Sequence, residues 1–183
     1  MGDTHIHHKL RPYISAEEIK TRVEQMADSL TKDFVGLEDK TVILCILKGA
    51  FVFLADLIRN MPISIPVEFC RASSYHDEIE SQGKVDLILP PLDKMAGKFV
   101  IIVEDIVDTG ITMNALVREL ERFGVKKAVV CALLSKPSKR KIDVKIHYLG
   151  FEVPDLFIVG YGLDYASHYR NLDHLAVVQR TDI

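Results

Sequence analysis

The sequence predicts an α/β fold built on a mainly parallel, twisted sheet flanked by helices. Three observations carry this expectation. Continuous apolar runs, rich in β-branched residues and lacking polar alternation, recur at 41–47, 99–103 and 127–135, as expected of strands covered on both faces. Helical patterns stand between them. Strand, helix, strand in this order calls for right-handed crossovers, which make neighbouring strands parallel.

Taken in order, the first element is a helix opening at Ser15. Ser15-Ala16-Glu17-Glu18 has the S-x-x-E form of a capping box, and Ile19, Val23, Met26 and Leu30 follow at helical spacing. Thr41 to Leu47 is the first buried strand; Lys48-Gly49 ends it, and Ala50 to Asn60 reads as a helix. A second strand covers Ile65 to Ala72, with Pro66 near its start, where strands tolerate proline. Ser73 to Lys84 turns polar and is long for a plain connector, which suggests a lid. Val85 to Leu89 forms a further strand before the turn at Pro90-Pro91. Phe99 to Val103 is the strongest strand signal; after a loop, a helix runs from Thr112 to Phe123 and closes at Gly124. Lys127 to Ser135 is the next buried strand.

A chain of 183 residues, 48% hydrophobic, suits one domain that buries its own core without covalent staples. With 23 Lys+Arg against 26 Asp+Glu the formal charge is −3, too little basic excess for a general nucleic-acid coat. Cys45, Cys70 and Cys131 are far apart, odd in number and embedded in apolar runs, so reduced core thiols are expected. The start has no apolar signal segment, and no apolar stretch approaches the roughly 18 residues of a membrane span. A cytoplasmic protein is therefore expected. His5, His7 and His8 read as a frayed terminus.

The chemistry concentrates after the strongest strand, in Glu104-Asp105-Ile106-Val107-Asp108-Thr109-Gly110-Ile111-Thr112. In open α/β sheets ligands bind beyond the carboxyl ends of the strands. The second half of this loop offers a glycine, two hydroxyls and the N–H groups of a helix start, which together cradle phosphate. Its first half offers adjacent carboxylates, which beside an anion need a hard divalent cation; Mg²⁺ fits best. An ordinary turn with Asp or Thr as N-cap would give the same text. No G-x-x-x-x-G-K-[ST] occurs, and Gly160-Tyr161-Gly162 has Tyr165 where a dinucleotide fingerprint needs its third glycine.

Val103 to Thr112 resembles the ribose-phosphate loop of type I phosphoribosyltransferases. Leu47-Lys48-Gly49-Ala50, Phe151 to Asp155, Gly160 to Tyr165 and Arg170-Asn171-Leu172 narrow the resemblance to the hypoxanthine-guanine phosphoribosyltransferases, in order from about Leu44 to Val178. The resemblance implies a small hood, formed by the N-terminal segment and about residues 151–183, over a core of about 35–150 within one domain, 1–183. It implies a purine-salvage enzyme that makes IMP or GMP plus diphosphate from a 6-oxopurine base and 5-phosphoribosyl 1-diphosphate with Mg²⁺. It also implies a homodimer or homotetramer.

Carried over position by position, Asp108 matches the general acid/base at purine N7, although a simple helix cap is the bland alternative. Asp108, Thr109, Gly110, Ile111 and Thr112 match the 5′-phosphate cradle. Glu104 and Asp105 match residues facing the ribose hydroxyls and a magnesium site, and Asp164 a second magnesium ligand beside the purine. Lys48 and Gly49 match a diphosphate loop that often carries a non-proline cis peptide, and Arg170 a diphosphate contact. Lys136 matches the donor to the purine 6-oxo group, Phe157 the stacking aromatic, and Ile158 the residue whose backbone reads the base edge. On pattern alone Lys136 would be a solvated charge and Phe157 and Ile158 strand core; Lys139, Arg140 and Lys141 are expected to be solvated. Ser74 and Tyr75 match the tip of the family's mobile loop.

Two positions depart from the pattern. Ile111 stands where some relatives carry a basic side chain, so the phosphate would rely more on backbone N–H groups. Leu156 stands where lysine is common near the purine, which leaves the ranking of hypoxanthine, guanine and xanthine open. A regulator that senses the ribose donor while binding nucleic acid is the alternative class. It would need a basic face or an added helix pair, and the sequence offers only the Lys136 to Lys145 cluster.

Overall fold

A computed structural model describes residues 9–74 and 85–179. In chain order its elements are strand β1 (Lys9–Ile14), helix α1 (Ala16–Phe34), β2 (Thr41–Leu47), α2 (Phe51–Arg59), β3 (Val67–Ser74), β4 (Val85–Ile88), β5 (Phe99–Val107), α3 (Ile111–Arg122), β6 (Lys127–Ser135), β7 (Tyr148–Glu152), β8 (Ile158–Val159) and β9 (Leu175–Gln179). The main sheet has six strands in the order β4-β3-β2-β5-β6-β7. All its pairings are parallel except that of β4, which returns antiparallel along β3 at one edge. The predicted fold class is therefore the observed one.

Period-two alternation explains why the central strands are apolar throughout. Ile43, Cys45, Ile101, Val103, Cys131 and Leu133 point to one face, where they meet Ile19, Val23 and Leu30 of α1 and Phe53 and Leu57 of α2. Val42, Leu44, Ile46, Val100, Ile102, Val130 and Ala132 point to the other, where Met113, Leu116 and Leu120 of α3 cover them. The three cysteines are buried and unbridged, as expected. Burial pushes the thiols of Cys45 and Cys70 up to about 12, so both stay protonated at neutral pH.

The capping box closes in both directions. The Glu18 amide donates to Ser15 Oγ at 3.3 Å, and the Ser15 amide donates to Glu18 Oε2 at 2.9 Å. The same helix runs on to Phe34, four residues past the last apolar position counted from the sequence.

Several boundaries differ from expectation. β5 continues through Glu104 to Val107, residues that the sequence reads as loop, because Ile106 and Val107 keep pairing with Leu134 and Ser135 of β6. β3 starts at Val67 and reaches Ser74. β1 and β9 are additional strands, joined with β8 in an antiparallel three-stranded sheet of order β1-β9-β8. β1 is hard to read because its text is Lys-Leu-Arg-Pro-Tyr-Ile; Pro12 is tolerated on this edge strand, where the register shifts between Pro12 and Ile14. This small sheet brings the N-terminal and C-terminal segments together as the hood that the resemblance implied. Among the described residues no helix is long and apolar enough to cross a membrane.

The central strands set the stability. Leu133 is fully buried in β6, and Leu133→Ala is expected to lower the unfolding free energy by about 2–5 kcal/mol in urea denaturation. A loss below about 1 kcal/mol would mean that the site collapses around the deletion and that β6 is not central to the core.

Candidate active site

The register of β5 on β6 builds the site. Val107 lies opposite Ser135, so the two strands end level and release Asp108 and Lys136 side by side. The Lys136 amide donates to the Val107 carbonyl at 3.0 Å and continues the ladder by one bond past the strand end. Asp108 and Lys136, expected at the two ends of the purine chemistry, are thus placed by backbone pairing before any side-chain contact is made.

Gly110 turns the chain from β5 into α3. It has φ +82° and is the N-cap of α3, with no side-chain cap. A Cβ here would meet the Ile142 carbonyl oxygen at 2.3 Å, so only glycine fits. The ordinary-turn alternative, with Asp108 or Thr109 filling the N-cap position, is not what forms. The Ile111 amide makes a long 3.4 Å contact to Thr109 Oγ1, and the positive end of α3 faces a cleft of about 130 Å³ lined by Glu104, Asp108, Thr109, Gly110 and Thr112. Asp108 Oδ1 is buried there without a hydrogen-bond partner, an unusual state for a buried polar atom.

Glu104 and Asp105 occupy consecutive β5 positions, and the Asp105 amide donates to Glu104 Oε1 at 3.2 Å. Glu104 is buried, and its pKa is raised well above the usual carboxylate range by burial first and by the neighbouring Asp105 charge second. Asp105 reaches across to the loop after β2. A Cβ on Gly49 would lie 1.4 Å from Asp105 Oδ2, so glycine at 49 is what lets the carboxylate approach this backbone. On the other side of the same loop, a Cβ on Gly162 would lie 2.2 Å from the Gly49 carbonyl oxygen. The peptide between Leu47 and Lys48 is cis, at the place the resemblance implied.

Arg170 completes this end. Its Nη1 donates to the Gly162 carbonyl at 2.6 Å, and its Nη2 pairs with Asp164 Oδ1 at 2.6 Å. Asp164 Oδ2 accepts from the Ser167 amide at 2.7 Å. Lys48, Gly49 and Arg170 are therefore brought together through Gly162, a residue that sequence reasoning treated only as part of a motif. Its signal was the pair Gly160 and Gly162, both at φ +98°, around Tyr161.

The carboxylates fit a cation in a particular way. Among the described residues no group of three or more His, Cys, Asp or Glu side chains is clustered to hold a metal. Glu104 and Asp105 stand together, whereas Asp164 is engaged by Arg170. Either place supplies at most two carboxylates, and a cation there would complete its shell from substrate oxygens and water, as Mg²⁺ commonly does.

On the purine side, Lys136 is nearly buried and lies 3.8 Å from Asp155 Oδ1, so it is not the solvated lysine of the pattern-only reading. Lys139 is exposed as expected but pairs with Asp155 Oδ2 at 2.9 Å, which holds the Asp155 carboxyl below its usual range. Asp155 is a residue that the sequence analysis did not single out. Phe157 is 51% exposed and stacks edge-on against Tyr165 with centroids 5.2 Å apart, so it too departs from strand core. Ile158 is buried in β8, as the pattern-only reading has it, while the neighbouring Phe157 carbonyl accepts from the Val178 amide. Leu156 packs against the core beside them. Arg140 is not solvated: its side chain turns inward to Ser135 and Val107. Ser74 is the last residue of β3; Tyr75, most of the lid segment, and His5, His7 and His8 lie outside the described residues.

Comparison with known proteins agrees with this geometry. The family described as Phosphoribosyl transferase domain matches residues 15–166. A hypoxanthine-guanine phosphoribosyltransferase of Bacillus subtilis is 41% identical over 167 residues, covering 91% of this chain and 91% of that one. The hypoxanthine phosphoribosyltransferase of Escherichia coli is 36% identical over 171 residues, covering 93% and 96%. Among solved structures, a hypoxanthine-guanine phosphoribosyltransferase from Bacillus anthracis superposes with a TM-score of 0.86 at 41% identity, covering 94% of this chain and all of that one. With the fold, the level strand ends and the phosphate-sized cleft already in place, these matches show that the chain belongs to the hypoxanthine-guanine phosphoribosyltransferases of the phosphoribosyl transferase domain family.

Proposed function

We propose that this protein transfers the 5-phosphoribosyl group from 5-phosphoribosyl 1-diphosphate to hypoxanthine or guanine, giving IMP or GMP and diphosphate, with Mg²⁺ as cofactor. The observation that carries the reading is the juxtaposition of Asp108 and Lys136 on level strand ends above the open N-terminus of α3. That arrangement offers an acceptor for a purine proton, a donor for a 6-oxo group and a cradle for phosphate within one cleft. The relatives are named as transferases, which leaves the regulator without support.

In the reaction the bond from ribose C1 to diphosphate breaks as purine N9 attacks, and Asp108 accepts the proton carried on N7. Its unpartnered Oδ1 supports this assignment, since a capping role would have consumed it. Thr109 to Thr112 hold the 5′-phosphate through backbone N–H groups and hydroxyls, with Ile111 contributing its amide only. Glu104 and Asp105 face the ribose hydroxyls. Lys48, Gly49 and Arg170 receive the diphosphate, Arg170 exchanging its contact with Asp164 for the leaving group. Bound Mg²⁺, held by Glu104 and Asp105 or by Asp164, would supply positive charge to the departing diphosphate and the ribose oxygens.

Lys136 donates to the 6-oxo group, Phe157 stacks on the ring and the Ile158 backbone reads its edge. Adenine would place an amine against the Lys136 ammonium, donor against donor, and a polar site of this kind rejects the wrong analogue strongly. Ser74 and Tyr75 belong to the segment that would close over the reacting centre and exclude water. We also propose that residues 1–183 act as one domain, with a core of about 35–150 and the hood above it. Self-association as a homodimer or homotetramer and a cytoplasmic location complete the reading.

The decisive assay offers hypoxanthine, guanine, xanthine, adenine and uracil separately, with Mg²⁺ and the ribose donor. Turnover of a 6-oxopurine is expected, and turnover of none would reject the function. Asp108→Asn is expected to lower kcat by roughly 10²–10⁴-fold with little change in binding of the ribose donor; near-normal kcat would remove Asp108 from proton transfer. Gly49→Ala is expected to abolish measurable turnover, because the added methyl occupies the position of Asp105 Oδ2. Retained activity in that variant would show that the Asp105 approach to this loop is dispensable.

A further inference from the structure

Arg140 is a charged residue beside the cleft whose placement the proposed mechanism does not use. Its Nη2 donates to Ser135 Oγ at 2.7 Å and to the Val107 carbonyl at 3.3 Å. Ser135 and Val107 are register partners and the last residues of their strands, so one nitrogen spans the point where β6 and β5 release Lys136 and Asp108. The side-chain stem lies behind the turn: a Cβ on Gly110 would come within 3.2 Å of Arg140 Cδ. The backbone that follows does the same work, since the Lys141 and Ile142 amides both donate to the Thr109 carbonyl, at 2.9 and 3.1 Å.

The guanidinium is also under-satisfied. Arg140 Nη1 is buried with no hydrogen-bond partner. A buried cationic donor without an acceptor is destabilising, and native structures retain such groups where something else compensates. No carboxylate lies within ion-pair distance of Arg140 among the described residues. The nearest built anion site is the cradle formed by Thr109 to Thr112, on the other side of the turn that Arg140 supports.

We propose that Arg140 is a positioning residue for the ribose-phosphate half of the reaction: it fixes the backbone of 107–110 from behind and keeps a positive charge there that the docked 5′-phosphate neutralises. The proposal rests on the transferase reading, and its effect falls on the ribose donor rather than on the purine. The Lys136 amide also donates to the Val107 carbonyl, at 3.0 Å.

Steady-state kinetics of Arg140→Gln and Arg140→Lys test this, each KM measured with the other substrate saturating. Arg140→Gln is expected to raise KM for 5-phosphoribosyl 1-diphosphate roughly tenfold or more, the size of one lost charge-assisted interaction, with KM for the base changed less than about twofold. Arg140→Lys, which restores the charge, is expected to recover part of that rise. A general folding defect would lower apparent kcat and leave both KM values unchanged, so equal changes in the two KM values, or none, would overturn the proposal whatever happens to the Tm. Absence of turnover in the unaltered protein would instead reject the transferase reading itself.

Discussion

The parallel register of β5 and β6 is the constraint on which the rest of the site depends. Because Val107 and Ser135 are partners, the next residue on each strand leaves the sheet at the same height. The positions of Asp108 and Lys136, the acid and the ammonium proposed to meet the purine, are therefore set by backbone hydrogen bonds of the buried strands. A slip of one residue in either strand would turn that strand's side chains to the other face of the sheet. The burial of Ile101, Val103, Cys131 and Leu133 on one face and Val100, Ile102, Val130 and Ala132 on the other excludes that slip, so packing far from the cleft maintains its chemistry.

Close backbone approach is the second device. Gly49, Gly110 and Gly162 each stand where a methyl group would meet a carboxylate or carbonyl oxygen at less than 2.5 Å. Through the contacts at Gly49 and Gly162 the loop after β2, Asp105 of β5 and the hood segment meet. They also explain how a chain with a net charge of −3 serves an anionic substrate. Helix α3 offers its uncapped N-terminus, Arg170 and Lys136 offer side-chain charge, and Arg140 sits behind the phosphate turn. Glu104 and Asp105, by contrast, stand together at the end of β5, and burial first and the Asp105 charge second raise the Glu104 carboxyl.

Much of this was legible in the sequence because it rests on short-range signals. Apolar runs announced β2, β5 and β6, the Ser15 box announced α1, and Gly110 in an Asp-Thr-Gly turn announced the passage from β5 into α3. The extent of β5 was not legible, since Glu104 and Asp105 read as loop text and only pairing with β6 makes them strand. β1 was hidden by its proline and charges. Phe157 and Ile158 show the limit from another side: two adjacent apolar residues with the same pattern, one half-exposed and one buried. The contacts of Asp155 and Arg140 gave no local signal, because the pairing of β6 with β7 brings Lys136 and Lys139 to Asp155 and the pairing of β5 with β6 brings Val107 to Arg140.

A crystal structure of the protein with inosine 5′-monophosphate tests the central claim most directly. The account predicts the phosphate on the amides of Thr109 to Thr112, the 6-oxo group within hydrogen-bonding distance of Lys136 Nζ and purine N7 facing Asp108. A nucleotide whose phosphate lies away from the α3 N-terminus, or whose base does not reach Lys136, would contradict it.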